Sequence, residues 1–212
     1  MAQIYTVGSL SPDDIQARIG KLTASRMDSA MYFKKNGEPS KERTDYMMEL
    51  VAERMTDILV PHYVTQAMLH GIEQEPHAKH AYVQATGRQI QHGTFIDHPT
   101  IEWAGATPDA FVDPDGLAEF KCPTTTTFLA WVRHGCVPEE HKPQMALQLL
   151  CTGRKWCDFV AWDNRMPAGK RLFIRRYKPE ADELKKYEDG AKQFLAEAEA
   201  LFDAVTTADM EG

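Results

Sequence analysis

The segment that most constrains how this chain can fold is residues 105–123, whose pattern predicts two short strands joined by a tight turn. The turn sequence is Asp113-Pro114-Asp115-Gly116, in which proline fixes its own φ and glycine can adopt a positive φ. Glu119 and Lys121 are two residues apart, so on a strand they share a face. If the turn centres near Asp115, Asp109 lies across from Lys121 on that same face. A slip of one residue would separate the three side chains, so the hypothesis depends on the register.

Asp109, Glu119 and Lys121 are the residue types with which metal-dependent nucleases hold a divalent cation against a phosphodiester. Two carboxylates supply the hard oxygen ligands that Mg²⁺ or Mn²⁺ prefers. A lysine can polarise the attacking water or stabilise negative charge in the transition state. The same spacing also fits an ordinary surface hairpin with its charges turned outward. The hairpin therefore gives a hypothesis that the rest of the chain has to support.

Length and composition predict a single domain over residues 1–212. With 43% hydrophobic and 26% charged residues, the chain resembles an ordinary globular protein that buries a proper core. No apolar run approaches the length of a membrane span, and no secretion signal is visible at the N-terminus. The four cysteines form no C-x-x-C pair, which favours reduced thiols in a cytoplasmic protein over a zinc or iron–sulfur site.

The net charge of −7 argues against DNA binding until its distribution is considered. From Glu180 to the end, ten acidic residues stand against three lysines, a balance of −7. Residues 1–179 are therefore neutral. The excess negative charge belongs to a C-terminal segment whose pattern predicts a long helix over about 180–205, and the rest of the chain has no net charge.

The hydrophobic pattern predicts helices around a small mixed sheet, an α/β (α+β) fold with the hairpin at its centre. The predicted helices cover about 13–17, 23–33, 40–59, 65–86, 124–134, 139–152 and 180–205, and the further strands cover 89–92, 95–98, 102–106, 156–162 and 171–177. Thr23 and Ser40 are suited to cap the helices that they precede. We expect Pro61 to end the third helix, and Gly71 and Pro76 to kink or break the fourth.

Three further segments carry residues suited to a nuclease, each with an ordinary alternative. Arg18-Ile19-Gly20-Lys21-Leu22-Thr23-Ala24-Ser25 sets cations and hydroxyls at the mouth of a predicted helix, where phosphate binds well. Glu75 could be a third carboxylate near the metals. His141, Gln144 and Gln148 could reach a nucleotide or the nucleophilic water. In each case the alternative is a capped helix or a helix face whose polar side chains are simply solvated.

Taken in order, these segments resemble the lambda-exonuclease family, also called YqaJ-type viral recombinases, within the PD-(D/E)xK nuclease superfamily. The motifs that carry the resemblance are Arg18-Ile-Gly-Lys-Leu-Thr-Ala-Ser25, Gly71-Ile-Glu-Gln-Glu75, Thr107-Pro-Asp109, Glu119-Phe-Lys121-Cys-Pro123 and Gln144. The resemblance implies a restriction-endonuclease-like core, with a central mixed sheet flanked by helices.

The resemblance also implies an activity and partners. The activity is that of a Mg²⁺-dependent 5′→3′ exonuclease on double-stranded DNA, which releases 5′-mononucleotides and leaves 3′ overhangs for phage-type recombination by strand annealing. The implied partners are duplex DNA ends, two further copies in a ring-shaped homotrimer, and a single-strand annealing protein in the cytoplasm of a bacterial host. The alternatives are a structure- or site-specific endonuclease on the same core, or a non-catalytic DNA-binding protein.

Carried over to this sequence, the resemblance implies a role for each of several residues. Two Mg²⁺ ions, for which Mn²⁺ could substitute, would be held by Asp109, Glu119, the main-chain carbonyl of Phe120, and Glu75. Lys121 would activate water and Gln144 would orient the nucleophile or the scissile phosphate. The 5′-phosphate would be bound by Arg18, Ser25, Thr107 and Thr127. The sequence departs from the family at Thr124–Thr127, a run of threonines where relatives can carry an arginine.

Overall fold

The computed structural model describes residues 12–208, which form a mixed sheet with helices on both faces. The helices are α1 (Pro12–Arg18), α2 (Met27–Met31), α3 (Lys41–Thr56), α4 (Gln66–Thr86), α5 (Thr125–His134), α6 (Lys142–Thr152) and α7 (Ala181–Thr206). The strands are β1 (Leu22–Thr23), β2 (Ile90–His92), β3 (Ile96–Asp97), β4 (Ala104–Ala106), β5 (Ala110–Val112), β6 (Gly116–Lys121), β7 (Trp156–Trp162) and β8 (Leu172–Tyr177). Short 3₁₀ turns cover Ala24–Arg26 and Glu139–His141.

The main sheet has the strand order β2-β5-β6-β7-β8, with β6 and β7 parallel and the other neighbours antiparallel. The predicted hairpin is β5 and β6, and its second strand is central. In the β5–β6 register Ala110 pairs with Ala118 and Val112 with Gly116. Continued by one residue, this register sets Asp109 opposite Glu119, so the prediction that it faces Lys121 is wrong. The partner of Asp109 is therefore two residues away from the predicted one, and because side chains alternate between faces, a shift of two keeps all three side chains on one face.

The turn of the hairpin differs from the prediction in which residue takes the unusual backbone conformation. Asp113 has φ of 47°, in the left-handed region, and its carboxylate accepts a hydrogen bond from Arg88 Nη1. Gly116 instead begins β6, where a Cβ atom would lie 2.1 Å from the ring of Trp156. The turn therefore centres on Pro114, and the glycine is required by close packing.

A second, three-stranded sheet has the order β1-β4-β3. Its β1 pairs in parallel with β4, so Thr23 lies opposite Gly105. Because Thr23 is held in this strand, the predicted helix over 23–33 is shortened to the 3₁₀ turn and α2, and the Thr23 side chain makes no capping hydrogen bond. The prediction of a helix at 13–17 is confirmed by α1.

Helices α3 and α4 begin where the sequence predicts and differ at their ends or in their course. Ser40 and Thr65 accept hydrogen bonds from the first-turn N–H groups of Arg43 and Met68. Helix α3 ends before Pro61, because Asp57 adopts the left-handed conformation of a C-cap. Helix α4 continues through Gly71 and Pro76, so of the predicted kink or break the break is wrong. Past the proline, Ala78 and Tyr82 are buried in the cluster that packs on the sheet.

The core lies on both faces of the main sheet. The larger cluster joins residues of α2, α3, α6 and α7 to one face, and a smaller cluster joins Ala78 and Tyr82 of α4 to the other. Helix α7 packs with Tyr187, Ala191 and Phe194 inward and keeps most of its acidic residues outward. None of the helices within residues 12–208 combines the length and the apolarity needed to cross a membrane.

Candidate active site

Glu119 is the buried centre of a hydrogen-bonded group on β6. The residue is 1% exposed, and Oε1 accepts hydrogen bonds from Lys121 Nζ and Gln144 Nε2, both at 2.6 Å. Its second oxygen accepts one from Gln148 Nε2 at 2.6 Å. Gln144 and Gln148 are one turn apart on α6, so this helix holds the carboxylate from one side. Lys121 also donates to Gln144 Oε1 at 3.2 Å.

Asp109 lies against the same strand, with fewer partners. Its Oδ2 accepts a hydrogen bond from the backbone N–H of Phe120 at 2.7 Å. Burial, and then the neighbouring charge of Glu119, raise the pKa of the Asp109 carboxyl well above its ordinary value, although Lys121 opposes the shift. The negative charges of the two carboxylates therefore repel each other, and the positive charge of Lys121 is not sufficient to offset this repulsion and the burial of Asp109.

Lys121 carries the compensating charge of the group. Burial alone would lower the pKa of its amine, but the carboxylates of Glu119 and Asp109 outweigh burial, and the pKa lies above the ordinary value. The side chain is thus an ammonium ion at neutral pH. As an ammonium it can orient a water molecule and stabilise developing negative charge, but it cannot accept a proton.

The donor set of this group fits a hard divalent cation. Asp109, Glu119 and the intervening main-chain carbonyl of Phe120 are oxygen ligands of the kind that Mg²⁺ and Mn²⁺ prefer. Glu75 on α4 lines the same cavity, and its Oε1 pairs with Lys79 Nζ at 2.6 Å. Among residues 12–208 no three His, Cys, Asp or Glu side chains form a preassembled metal cluster. In this arrangement the ammonium groups of Lys121 and Lys79 form ion pairs with the carboxylates of Glu119 and Glu75, which would otherwise be available to a metal ion.

Arg18, Ser25 and Thr107 form a second polar group in the same cavity. The parallel pairing of β1 with β4 brings these residues together, although Arg18 and Thr107 are far apart in sequence. Arg18 Nη2 donates to Thr107 Oγ1 at 2.5 Å, and its Nε is buried without a hydrogen-bond partner. The pKa of the Arg18 guanidinium is lowered by burial, which the charge of Asp14 partly offsets. A desolvated cation with an unused donor is suited to an anion such as phosphate.

The two groups share one open cavity of about 300 Å³. It is lined by Arg18, Ser25, Glu75, Thr107, Asp109, Glu119, Phe120, Lys121 and Gln144, and further by Asp14, Thr23, Ala24, Ile72, His92, Gly93 and Pro108. Eight of the predicted site side chains, and Phe120 besides, therefore lie around a single space.

Comparisons with known proteins assign the chain to a family. Residues 15–155 match the model of the YqaJ-like viral recombinase domain. The chain belongs to this family. No curated protein sequence gives a significant match.

Three solved structures similar to this YqaJ-like domain are of exonucleases. The alkaline exonuclease LHK-Exo from Laribacter hongkongensis is 37% identical, with 92% of this chain and 96% of that chain covered and a TM-score of 0.84. Its complex with dAMP matches with the same identity, coverage and TM-score. A phage-related exonuclease from Haemophilus somnus 129PT shares the fold at 13% identity, with 88% and 95% covered and a TM-score of 0.64. The predicted family and α+β fold class are confirmed, and a restriction-endonuclease-like core agrees with both.

Thr127 does not join the other predicted site residues of this YqaJ-like domain. It lies in the first turn of α5, where its Oγ1 is 2.9 Å from Thr124 Oγ1, and it is absent from the cavity lining. Thr124 caps α5 by accepting a hydrogen bond from the Thr127 N–H at 3.4 Å. The threonine run therefore serves the start of a helix.

Two residues that the sequence left ambiguous have defined positions. Gln148 is fully buried and holds Glu119, so it faces neither solvent nor a bound nucleotide. His141 stacks on Phe159 with ring centroids 5.2 Å apart, and burial, followed by the charge of Lys121, lowers its pKa to about 4. The imidazole is therefore neutral at ordinary pH and belongs to the packing behind the site.

Asp14 and His92 line the cavity and were not anticipated as site residues. Asp14 is one helical turn before Arg18, a spacing that could have drawn attention to it. His92 reaches the cavity through the antiparallel pairing of β2 with β5, which sets it opposite Ala110, next to Asp109. That pairing joins distant segments, so no local signal in the sequence marks His92.

Proposed function

We propose that this chain is a Mg²⁺-dependent exonuclease that degrades double-stranded DNA from its 5′ ends, releases 5′-mononucleotides and leaves 3′ single-stranded overhangs. The observation that carries the proposal is the single cavity in which Asp109, Glu119 and Lys121 lie together with Arg18 and Thr107. Two relatives of similar fold are exonucleases, and one of them has been crystallised with dAMP, a 5′-mononucleotide.

The residues of the first group are suited to hydrolyse a phosphodiester. Asp109, Glu119, the Phe120 carbonyl and Glu75 would hold two Mg²⁺ ions, which supply a lower pKa for a coordinated water and charge neutralisation at the leaving 3′-oxygen. Lys121, as an ammonium, orients the attacking water and stabilises negative charge on the phosphoryl oxygens. Gln144 contacts both Lys121 and Glu119, so it positions these two side chains relative to the attacked phosphorus.

The residues of the second group are suited to bind the end of the strand. Arg18 offers an unused Nε–H donor, and Ser25 and Thr107 offer hydroxyls in the same cavity. A terminal 5′-phosphate bound there leaves the first internucleotide linkage within the space that Asp109 and Glu119 line. Cleavage of the bond between phosphorus and the 3′-oxygen then releases one 5′-mononucleotide.

The proposal is tested by digestion of a linear duplex labelled at either the 5′ or the 3′ end, with Mg²⁺ or with EDTA. We expect Mg²⁺-dependent release of 5′-labelled mononucleotides, with the 3′-labelled strand shortened from its other end. Asp109→Ala and Lys121→Ala should each reduce the rate of digestion by at least about 100-fold and leave DNA binding largely unchanged. Full activity in purified Asp109→Ala would refute the site.

A closed circular duplex distinguishes this proposal from the alternatives. An exonuclease leaves the circle intact, whereas a structure- or site-specific endonuclease on the same core cuts it. A non-catalytic DNA-binding protein would degrade neither the linear nor the circular duplex.

The proposal extends to partners. A homotrimeric ring around DNA would explain processive digestion by enclosure, and a single-strand annealing protein would receive the 3′ overhangs in the cytoplasm of a bacterial host. Family membership supports these partners. Light scattering of the purified protein tests the ring, and a mass near that of one or two chains would count against it.

A further inference from the structure

One acidic side chain lies on the phosphate-binding side of the cavity. Asp14 is on α1, one helical turn before Arg18, and both side chains line the space that reaches Asp109 and Glu119. The charge of Asp14 acts on the Arg18 guanidinium. Asp13, its neighbour on the same helix, is exposed and is not among the residues that line the cavity.

Arg18 has other contacts that fix its position. Its Nη2 donates to Thr107 Oγ1, and its guanidinium carbon lies 5.6 Å from the centre of the Phe95 ring. A neutral side chain at position 14 would leave these contacts in place. The carboxylate of Asp14 adds negative charge to a space that is otherwise suited to an anion.

We propose that Asp14 is a specificity-determining residue that weakens the binding of a terminal 5′-phosphate, so that phosphorylated ends and 5′-mononucleotides exchange rapidly. This inference rests on the proposed function, because it takes Arg18, Ser25 and Thr107 as the pocket for that phosphate. A terminal phosphomonoester carries nearly two negative charges at pH 7, whereas an internal phosphodiester carries one. A nearby carboxylate therefore acts most strongly against the terminal group.

Rapid exchange matters because each cleavage leaves two 5′-phosphomonoesters at the site, one that was already the strand end and one that is newly formed. The released nucleotide keeps the 5′-phosphate that it carried as the strand end, and the shortened strand presents a new one. A pocket that held this group too tightly would be slow to release its product and to admit the next nucleotide. Asp14 lowers affinity at this step and so favours turnover.

The test compares Asp14→Asn with Asp13→Asn as the matched control. Binding is measured in EDTA for two duplexes that differ only in a 5′-phosphate or a 5′-hydroxyl, and inhibition of digestion is measured with inorganic phosphate and with dAMP. For Asp14→Asn we expect the preference for the phosphorylated end to rise about 3- to 10-fold, and the inhibitory concentrations to fall by a similar factor. Asp13→Asn should match the wild type. Raising the salt concentration should shrink the effect of Asp14→Asn, because salt screens charge repulsion.

The outcomes separate this inference from the proposed function. An unchanged preference in Asp14→Asn, in a protein whose wild type does prefer phosphorylated ends, overturns the role of Asp14 and leaves the exonuclease proposal standing. If neither protein distinguishes the two ends, the pocket and the role of Asp14 both fall, and digestion of the labelled duplex alone decides the activity. Asp14→Glu restores the charge and should restore the wild-type preference. Asp14→Ser replaces Asp14→Asn if the latter fails to fold.

Discussion

At the scale of single residues, the site is asymmetric between its two central carboxylates. Glu119 is fully buried and accepts three hydrogen bonds, from Lys121, Gln144 and Gln148. Asp109 accepts one from the backbone N–H of Phe120 and feels the charge of Glu119. Glu119 is thus held in place before any ligand arrives, whereas ionised Asp109 is unfavourable without further positive charge. A carboxylate whose ionised form is unfavourable until positive charge is added is expected where a cation binds.

This asymmetry predicts that Asp109→Asn stabilises the metal-free protein. Because the pKa of Asp109 is raised on folding, its favourable contribution is present below the unfolded value of about 3.9 and is lost as pH rises through the folded value. Above the unfolded value the folded protein therefore loses stability, either by holding an ionised carboxylate or by taking up a proton, and the neutral amide removes that cost. We expect Tm in EDTA to rise by roughly 2–4 °C at pH 8, which corresponds to about 1 kcal/mol, and the gain to vanish near pH 4.

Asp115→Asn is the control for this change. Asp115 is an exposed turn carboxylate paired with Lys155, so its loss should alter Tm little at any pH. Adding Mg²⁺ should raise the Tm of the wild type more than that of Asp109→Asn. A Tm for Asp109→Asn at or below that of the wild type at pH 8 would contradict the physical account of the site.

At the scale of elements, the loop between β2 and β3 has to pass very close to the start of β5. A Cβ atom on Gly93 would lie 1.7 Å from the carbonyl oxygen of Pro108, the residue before Asp109. Gly93→Ala should therefore displace Pro108 and Asp109. We expect destabilisation by about 2 kcal/mol and a loss of nuclease activity of at least about 10-fold, measured by thermal unfolding and by digestion of a linear duplex.

Gly71→Ala is the matched control, because nothing lies within 4 Å of the added Cβ atom and the residue is inside α4. Alanine is a better helix former than glycine, so Tm should stay equal or rise slightly. Wild-type activity in Gly93→Ala would show that the β2–β3 loop does not position Asp109.

The sequence predicted most elements because their signals are local. Alternation on both sides of Asp113–Gly116 gave the hairpin and the shared face of Glu119 and Lys121, and Ser40 and Thr65 marked two helix starts. The turn centre was wrong because both Asp113 and Gly116 are compatible with a left-handed conformation, and only the packing of Trp156 on Gly116 decides between them.

The parts that could not be derived locally depend on contacts between distant segments. The pairing of β1 with β4 holds Thr23 in a strand and brings Arg18 to Thr107. In the sequence, only a family resemblance and the helix predicted over 23–33 indicate that the residues from Arg18 to Ser25 bind phosphate, and that helix is shorter than predicted. The role of Gln148 likewise follows from how α6 packs on β6, which residue spacing alone leaves open.

At the scale of the whole molecule, the acidic C-terminal helix is joined to the body by a buried arginine. Arg43 of α3 is 2% exposed; its Nε donates to the carbonyl oxygen of Ala30 at 2.8 Å, and its Nη1 donates to Glu197 Oε2 of α7 at 2.6 Å. Its guanidinium carbon also lies 5.2 Å from the centre of the Phe194 ring. One side chain therefore links α3, the end of α2 and α7.

This arrangement predicts unequal costs for removing the two partners of the Arg43–Glu197 pair. Arg43→Ala leaves a buried carbonyl without its donor and a space beside Phe194, so we expect a loss of about 3 kcal/mol, or roughly 6–12 °C in Tm. Glu197→Gln keeps the packing and removes only a charge that is 40% exposed, so its cost should stay below about 1 kcal/mol. Thermal unfolding measures both.

Because neither residue lines the cavity, digestion by the folded fraction of each variant should match the wild type at a temperature well below Tm. Equal costs for the two substitutions would mean that the charge pair, and not the buried packing of Arg43, attaches α7 to the body.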